Sequence, residues 1–231
     1  MRLSTALTIG ALTAALGLYV YAQNAPEKAE PFAGKGMPPR SSPADYLSQA
    51  QAGTVTIAAE FAGHSLPTLE GSTLNSEDYV AVETGLFGPA GARITLSIAD
   101  FALRVNGKKT LLPALPYGMV ARSAKDLEWE PPEKIAERKE KMTGGGGDDS
   151  GGTSINKSGE PKATPTPIKI PLPIQRGWSQ RVQRVTLPEG DRALPVAGLL
   201  FFEYHGKREK ILSLELVYTG PAGKATVTLQ P

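Results

Sequence analysis

Apolar residues in this chain recur at every second position, in one run after another, and no other feature narrows the fold as much. Val55, Ile57, Ala59 and Phe61 alternate with Thr54, Thr56, Ala58 and Glu60. Tyr79 to Phe87 forms a second run; Ile94, Leu96 and Ile98 form a third; Phe101, Leu103 and Val105 resume the alternation one residue out of step. Successive side chains of a strand point to opposite faces, so period two with β-branched residues predicts half-buried strands. Near the C-terminus, Leu199 to Tyr204 is a short apolar run suited to a core strand. Leu212, Leu214, Leu216 and Tyr218 share one face, and Ala225, Val227 and Leu229 alternate through a last strand.

Turn residues separate these runs. Asn106-Gly107 predicts a type I′ turn, which needs positive φ at both central positions, with Lys108 to Leu112 as the return strand. Gly-Pro-Ala-Gly stands at 88–91 and again at 220–223, and both copies read as hairpin turns. Pro188-Glu189-Gly190-Asp191 and His205-Gly206-Lys207 are further turns. Seven to nine short strands at regular spacing, with long helical periodicity missing, predict an all-β, antiparallel sandwich.

Two regions break the pattern. Residues 23–52 hold five prolines with scattered charge and read as a flexible leader, so the sandwich is expected to span 53–231. Residues 123–175 read as an insertion. Pro131-Pro132 precedes a charged run from Glu133 to Met142 that fits a short solvated helix. A Gly-rich stretch, Gly144 to Gly152, follows. Pro161 to Pro173 then favour polyproline II or an edge strand. Strand logic is expected to resume near Trp178, with Val182, Val185 and Leu187.

The first 22 residues read as an address. Arg2 supplies a charge, Leu3 to Ala22 has none, and Val20-Tyr21-Ala22 presents small residues where a signal peptidase cuts. Cleavage is expected after Ala22, giving a periplasmic or secreted protein. The alternative is an uncleaved membrane anchor over 3–22, since about 20 apolar residues can span a bilayer.

The chain of 231 residues has a formal charge of +2, too balanced for the concentrated basic face of a nucleic-acid binder. With no cysteine there is no disulfide, thiolate nucleophile or Cys-based zinc site. His64 and His205 lack the spacing of a metal-ligand motif and read as surface or turn residues. Asp148-Asp149 lack the alternating acids of a calcium loop. Glu128 and Glu130 flank Trp129 but read as solvated charge around an anchoring ring. Lys207-Arg208 and Arg138-Lys139 read as solvated surface, and Phe201-Phe202 as strand packing. Neither a Gly-x-Ser-x-Gly elbow nor a phosphate loop is present. No catalytic, cofactor-binding or metal residue is therefore assigned, and no cofactor.

Asp78-Tyr79-Val80-Ala81-Val82, followed by Ile98-Ala99-Asp100-Phe101-Ala102-Leu103, resembles the first half of a bacterial secreted immunoglobulin-like domain family of unknown function. Pro195 to Phe202 and Leu216-Val217-Tyr218 resemble its second half. The resemblance covers about 110 residues in two blocks and rests on core and turn positions. It implies an immunoglobulin-like sandwich on envelope proteins and no catalytic set. Three functions fit these residues: a non-catalytic binding or assembly module whose partner is another envelope protein, an accessory chaperone or subunit of an envelope or secretion machine, and a secreted hydrolase.

Overall fold

The computed structural model describes residues 36–132 and 170–231. The address segment, the charged run after Pro132, the Gly-rich stretch and Asp148-Asp149 lie outside them. Twelve strands are present among the described residues: β1 (Ser48–Ala52), β2 (Val55–Gly63), β3 (Ser65–Pro67), β4 (Thr73–Asn75), β5 (Tyr79–Phe87), β6 (Arg93–Leu96), β7 (Phe101–Val105), β8 (Leu112–Leu115), β9 (Gly190–Ala193), β10 (Val196–Glu203), β11 (Leu214–Gly220) and β12 (Gly223–Leu229). Eight of them form one antiparallel sheet in the order β1-β2-β5-β10-β8-β7-β11-β12. The short pairs β3–β4 and β6–β9 stand beside it. The expected β-rich, antiparallel architecture is there, but as one continuous sheet curled nearly into a barrel.

The curl has a local cause in β8. Leu112 and Pro113 pair with β7, whereas Ala114 and Leu115 pair with β10. A strand that divides four residues between two neighbours lets the sheet turn a corner. At the opposite seam β12 runs beside β1 and β2. The turn at Gly53 presses so close to the second Gly-Pro-Ala-Gly turn that a Cβ on Gly53 would lie 2.5 Å from the Ala222 oxygen.

The alternating residues fill the inside of the curl. Ile57 and Phe61 of β2, Leu200 and Phe202 of β10, Phe101 and Leu103 of β7, and Leu214, Leu216 and Tyr218 of β11 belong to one buried cluster. The rings of Phe101 and Tyr218 lie 5.0 Å apart. Asn106 and Gly107 have φ of 54° and 65°, as the Asn-Gly turn requires. The return strand starts later than expected, at Leu112, and Ile98 sits in a 3₁₀ turn, Ile98–Asp100, rather than in a strand. Leu212 is exposed, so only Leu214, Leu216 and Tyr218 keep the expected face inward. Of the two Gly-Pro-Ala-Gly turns, only the second joins paired strands; β6 pairs with β9, not with β5.

A second apolar layer covers the outside of β5 and β10. Ala81, Leu199 and Phe201 meet Leu66 and Leu74 of the β3–β4 pair, Val120 of helix α1 (Tyr117–Val120), and Trp178, Val182 and Val185 of helix α2 (Leu172–Val185). This layer explains why β10 is apolar on both faces, the pattern of a strand covered on both sides. It also corrects the expectation for 171–185. Trp178, Val182 and Val185 are spaced by four and three residues, the stripe of a helix, and Pro173 sits in the first turn where a missing N–H costs nothing. Thr186 Oγ1 donates to the Val182 carbonyl at 2.8 Å and closes the helix.

The expected insertion is folded onto the sheet at both described ends. Lys125 and Asn75 exchange two backbone bonds, of 2.7 and 2.8 Å. Trp129 packs edge-on against Trp178, centroids 6.0 Å apart, as an anchoring ring does. Of the expected flexible leader, residues 23–35 lie outside the described residues, and the part from Gly36 onward needs a larger correction. Met37 N–H donates to the Ala197 carbonyl, Tyr46 is buried, and residues 48–52 are strand β1. Among the described residues no helix is long and apolar enough to cross a membrane.

Candidate binding cleft

Arg40 ties the segment before β1 to the sheet, beside the Met37 bond and the pairing of β1. Glu60 of β2 and Glu83 of β5 are direct cross-strand partners, a like-charge pair that is unfavourable alone. Arg40 forks onto Glu83 through Nε and Nη2, at 3.0 and 2.9 Å. Its Nη1 donates to Glu60 at 2.8 Å and to the Asp45 carbonyl at 2.7 Å, and the guanidinium lies 4.4 Å from the Tyr46 ring centre. The Glu83 bonds raise the Arg40 pKa further above its ordinary value, against burial, which lowers it. Burial raises the Tyr46 pKa. A lone arginine among prolines carries no sequence signal of this role, because its partners lie 20 and 43 residues away.

A concavity lies at the end of the sheet where β10 runs out. After Glu203 the chain passes through His205, Gly206 and Lys207 into a 3₁₀ turn, Arg208–Lys210, before β11. This loop separates two clefts. The larger, about 660 Å³, has Ser76, Glu77, Lys125, Leu127, Lys207 and Arg208 among its walls. The smaller, about 480 Å³, is lined on its far side by Lys108, Thr110, Leu112 and Leu115. His205 and Gly206 belong to both.

The two histidines, far apart in sequence, meet at this loop. At the end of β2 the register with β5 shifts between Phe61 and Gly63, and Gly63 has φ of 67°, a conformation glycine takes without strain. The chain therefore bends and places His64 in the larger cleft. His64 Nδ1 lies 2.9 Å from the Ser76 oxygen and 3.0 Å from the Tyr79 oxygen, and Nε2 lies 3.0 Å from the Gly206 oxygen. His205 is solvent-exposed, with Nε2 3.0 Å from Glu203 and Nδ1 3.3 Å from Asp78. The Glu203 bond is the main reason its pKa is raised, with Asp78 adding to it. The surface reading suits His205. His64 instead serves as a tie between three chain segments, a role its sequence neighbours do not signal.

Charge on the walls is mixed. Lys125 lies 3.8 Å from Glu77, at the limit of an ion pair. Among the described residues Lys207 and Arg208 have no carboxylate within that range; the Arg208 guanidinium lies 5.8 Å from the Phe61 ring centre. Beneath the cleft, the Ser76 and Ser123 hydroxyls are 2.7 Å apart, and Ser123 Oγ donates to the Val120 carbonyl at 3.1 Å. These bonds tie the cleft floor to the second apolar layer. Among the described residues no group of three or more His, Asp or Glu is placed to hold a metal ion.

Comparisons with known proteins found no matching family model, no matching curated protein and no matching solved structure, so the resemblance to the immunoglobulin-like family has no support beyond the residues that carry it.

Proposed function

We propose that the chain is an exported, non-catalytic binding or assembly module of the cell envelope, and that the larger cleft is where it receives a segment of another envelope protein. The two halves of the curled sheet would then act as the layers of an immunoglobulin-like sandwich, with the cleft built at one end from connecting loops, where such scaffolds carry recognition. The observation that carries the reading is the pair Lys207 and Arg208. They stand on the wall of a 660 Å³ concavity beside exposed Leu127, without ion-pair partners among the described residues. Free cations beside an apolar side chain suit a partner segment with a carboxylate next to an apolar residue.

The test is retention of envelope proteins by the immobilised chain, in wild type and in the double variant Lys207→Glu/Arg208→Glu. A protein held by wild type and lost by the variant supports the cleft. Equal retention by both moves the binding surface elsewhere, and retention by neither at physiological salt overturns the module reading.

A further inference from the structure

We propose that His64 is a proton-dependent latch on the loop between the two clefts. The charged ring holds Gly206 in place, and the neutral ring lets it go. As regulation of the cleft, the idea rests on the binding reading above; as a property of the loop, it stands alone.

The geometry is one-sided. All three partners of His64 are backbone carbonyl oxygens, which only accept. An imidazolium has an N–H at each ring nitrogen and satisfies both sides. A neutral imidazole has one N–H, so one nitrogen must turn a lone pair toward a carbonyl lone pair. The sides are unequal. Nδ1 faces two oxygens, those of Ser76 and Tyr79, and both residues are anchored. Ser76 N–H donates back to the His64 carbonyl at 3.0 Å, and Tyr79 opens β5 within the main sheet. Nε2 faces a single oxygen, on Gly206, in a loop. The remaining proton therefore stays on Nδ1, and the hydrogen bond to Gly206 is the one that breaks.

Charged groups of both signs line the clefts and the loop beside His64. Glu77 and Asp78 come from the segment before β5, Glu203 from β10, Lys125 from the segment after α1, and His205, Lys207, Arg208 and Glu209 from the loop; Tyr79 and Tyr204 complete the set. His205 acts in the same direction, since its bonds to Glu203 and Asp78 also strengthen on protonation. The loop is therefore held while the ring is charged and released when it is neutral. Its release alters both clefts, because Gly206 lines each.

The experiment is NMR on the ¹⁵N-labelled full chain from pH 5 to 8, reading the imidazole nitrogens of His64 and the amide of Lys207, which follows the Gly206 carbonyl. The expected result is a neutral His64 in the Nδ1–H form, with the Lys207 amide moving along the same titration curve. His205→Asn should keep that movement, and His64→Gln should abolish it. A neutral ring in the Nε2–H form would overturn the latch, because the hydrogen bond to Gly206 would survive. So would a Lys207 amide that stays still while His64 titrates, or a movement that disappears in His205→Asn. The wild-type spectra decide the matter even where a variant fails to fold. None of these readouts contains a partner, so their outcome is independent of the retention experiment.

Discussion

The two faces of β10 carry different kinds of core. Inward, Leu200 and Phe202 join residues that alternate along neighbouring strands, so each strand contributes a regular row. Outward, Leu199 and Phe201 meet a patchwork: two leucines from a short hairpin, Val120 from a one-turn helix, and three residues of α2. The inner core is a repeated local rule. The outer layer is an agreement between distant segments, none of which could bury its apolar side alone. Its elements should therefore come away as a unit at lower free energy than the sheet they cover.

The sharpest test uses adjacent residues. Phe202→Ala and Phe201→Ala each remove a fully buried ring and should each cost about 3–5 kcal/mol in chemical denaturation. They should differ in which elements open first. Phe201→Ala is expected to raise amide exchange in α2 and the β3–β4 pair while β7, β11 and β12 stay protected. Phe202→Ala should lower protection throughout. Identical exchange patterns would mean that the two layers form one cooperative unit.

A smaller effect tests whether the expected leader belongs to the sheet. Arg40→Met leaves Glu60 facing Glu83 and should cost roughly 1–2 kcal/mol. That is more than an exposed ion pair contributes and less than breaking a buried one. Adding Glu83→Gln should recover most of the loss. If it recovers nothing, the loss comes from packing along the arginine stem rather than from the facing carboxylates.

The Asn106 turn sharpens the inner-core side of the comparison. Asn106 Oδ1 accepts from the backbone N–H of Leu212 and Ser213, at 2.7 and 3.2 Å, and its amide nitrogen donates to the Lys210 carbonyl at 2.9 Å. Asn106→Gly keeps the positive φ but drops these exposed bonds, and a loss of about 1 kcal/mol is expected by thermal or chemical denaturation. A neutral outcome would show that the turn needs only its backbone geometry.

The smallest effect concerns His205. Its folded-state pKa is raised, first by Glu203, so its contribution is complete below the ordinary histidine value and is lost as pH rises through the folded one. Wild type should gain stability over His205→Asn toward pH 5, and the difference should vanish by pH 8. A difference that grows with pH would contradict the placement of the ring between two carboxylates.

Much of the fold is legible in the residues themselves. The strands at 55–63, 79–87, 101–105 and 223–229 follow from period-two alternation, the strand at 196–203 from the short apolar run beginning at Leu199, and the Asn106-Gly107 turn from its need for positive φ. These depend on rules reaching a few residues along the chain. Residues 171–185 read as polyproline and strand because the helical stripe of α2 has only three buried members, Trp178, Val182 and Val185, among polar residues and two prolines. Such a stripe identifies a helix only when a surface exists to receive it. The leader misleads for a related reason, since Arg40 gains its value from Glu60 and Glu83 on strands far along the chain.

The sequence alone determined the β-rich class, the inward rows and the turn chemistry, because side-chain direction along a strand alternates whatever its neighbours are. Tertiary structure alone decided that the strands curl into one sheet, that β8 divides its four residues between β7 and β10, and that a helix covers the outer face. It also brought His64 to the carbonyl of Gly206, 142 residues away. Strand order and long-range hydrogen bonds depend on which surfaces meet, and that is settled by the burial and pairing of the whole chain at once.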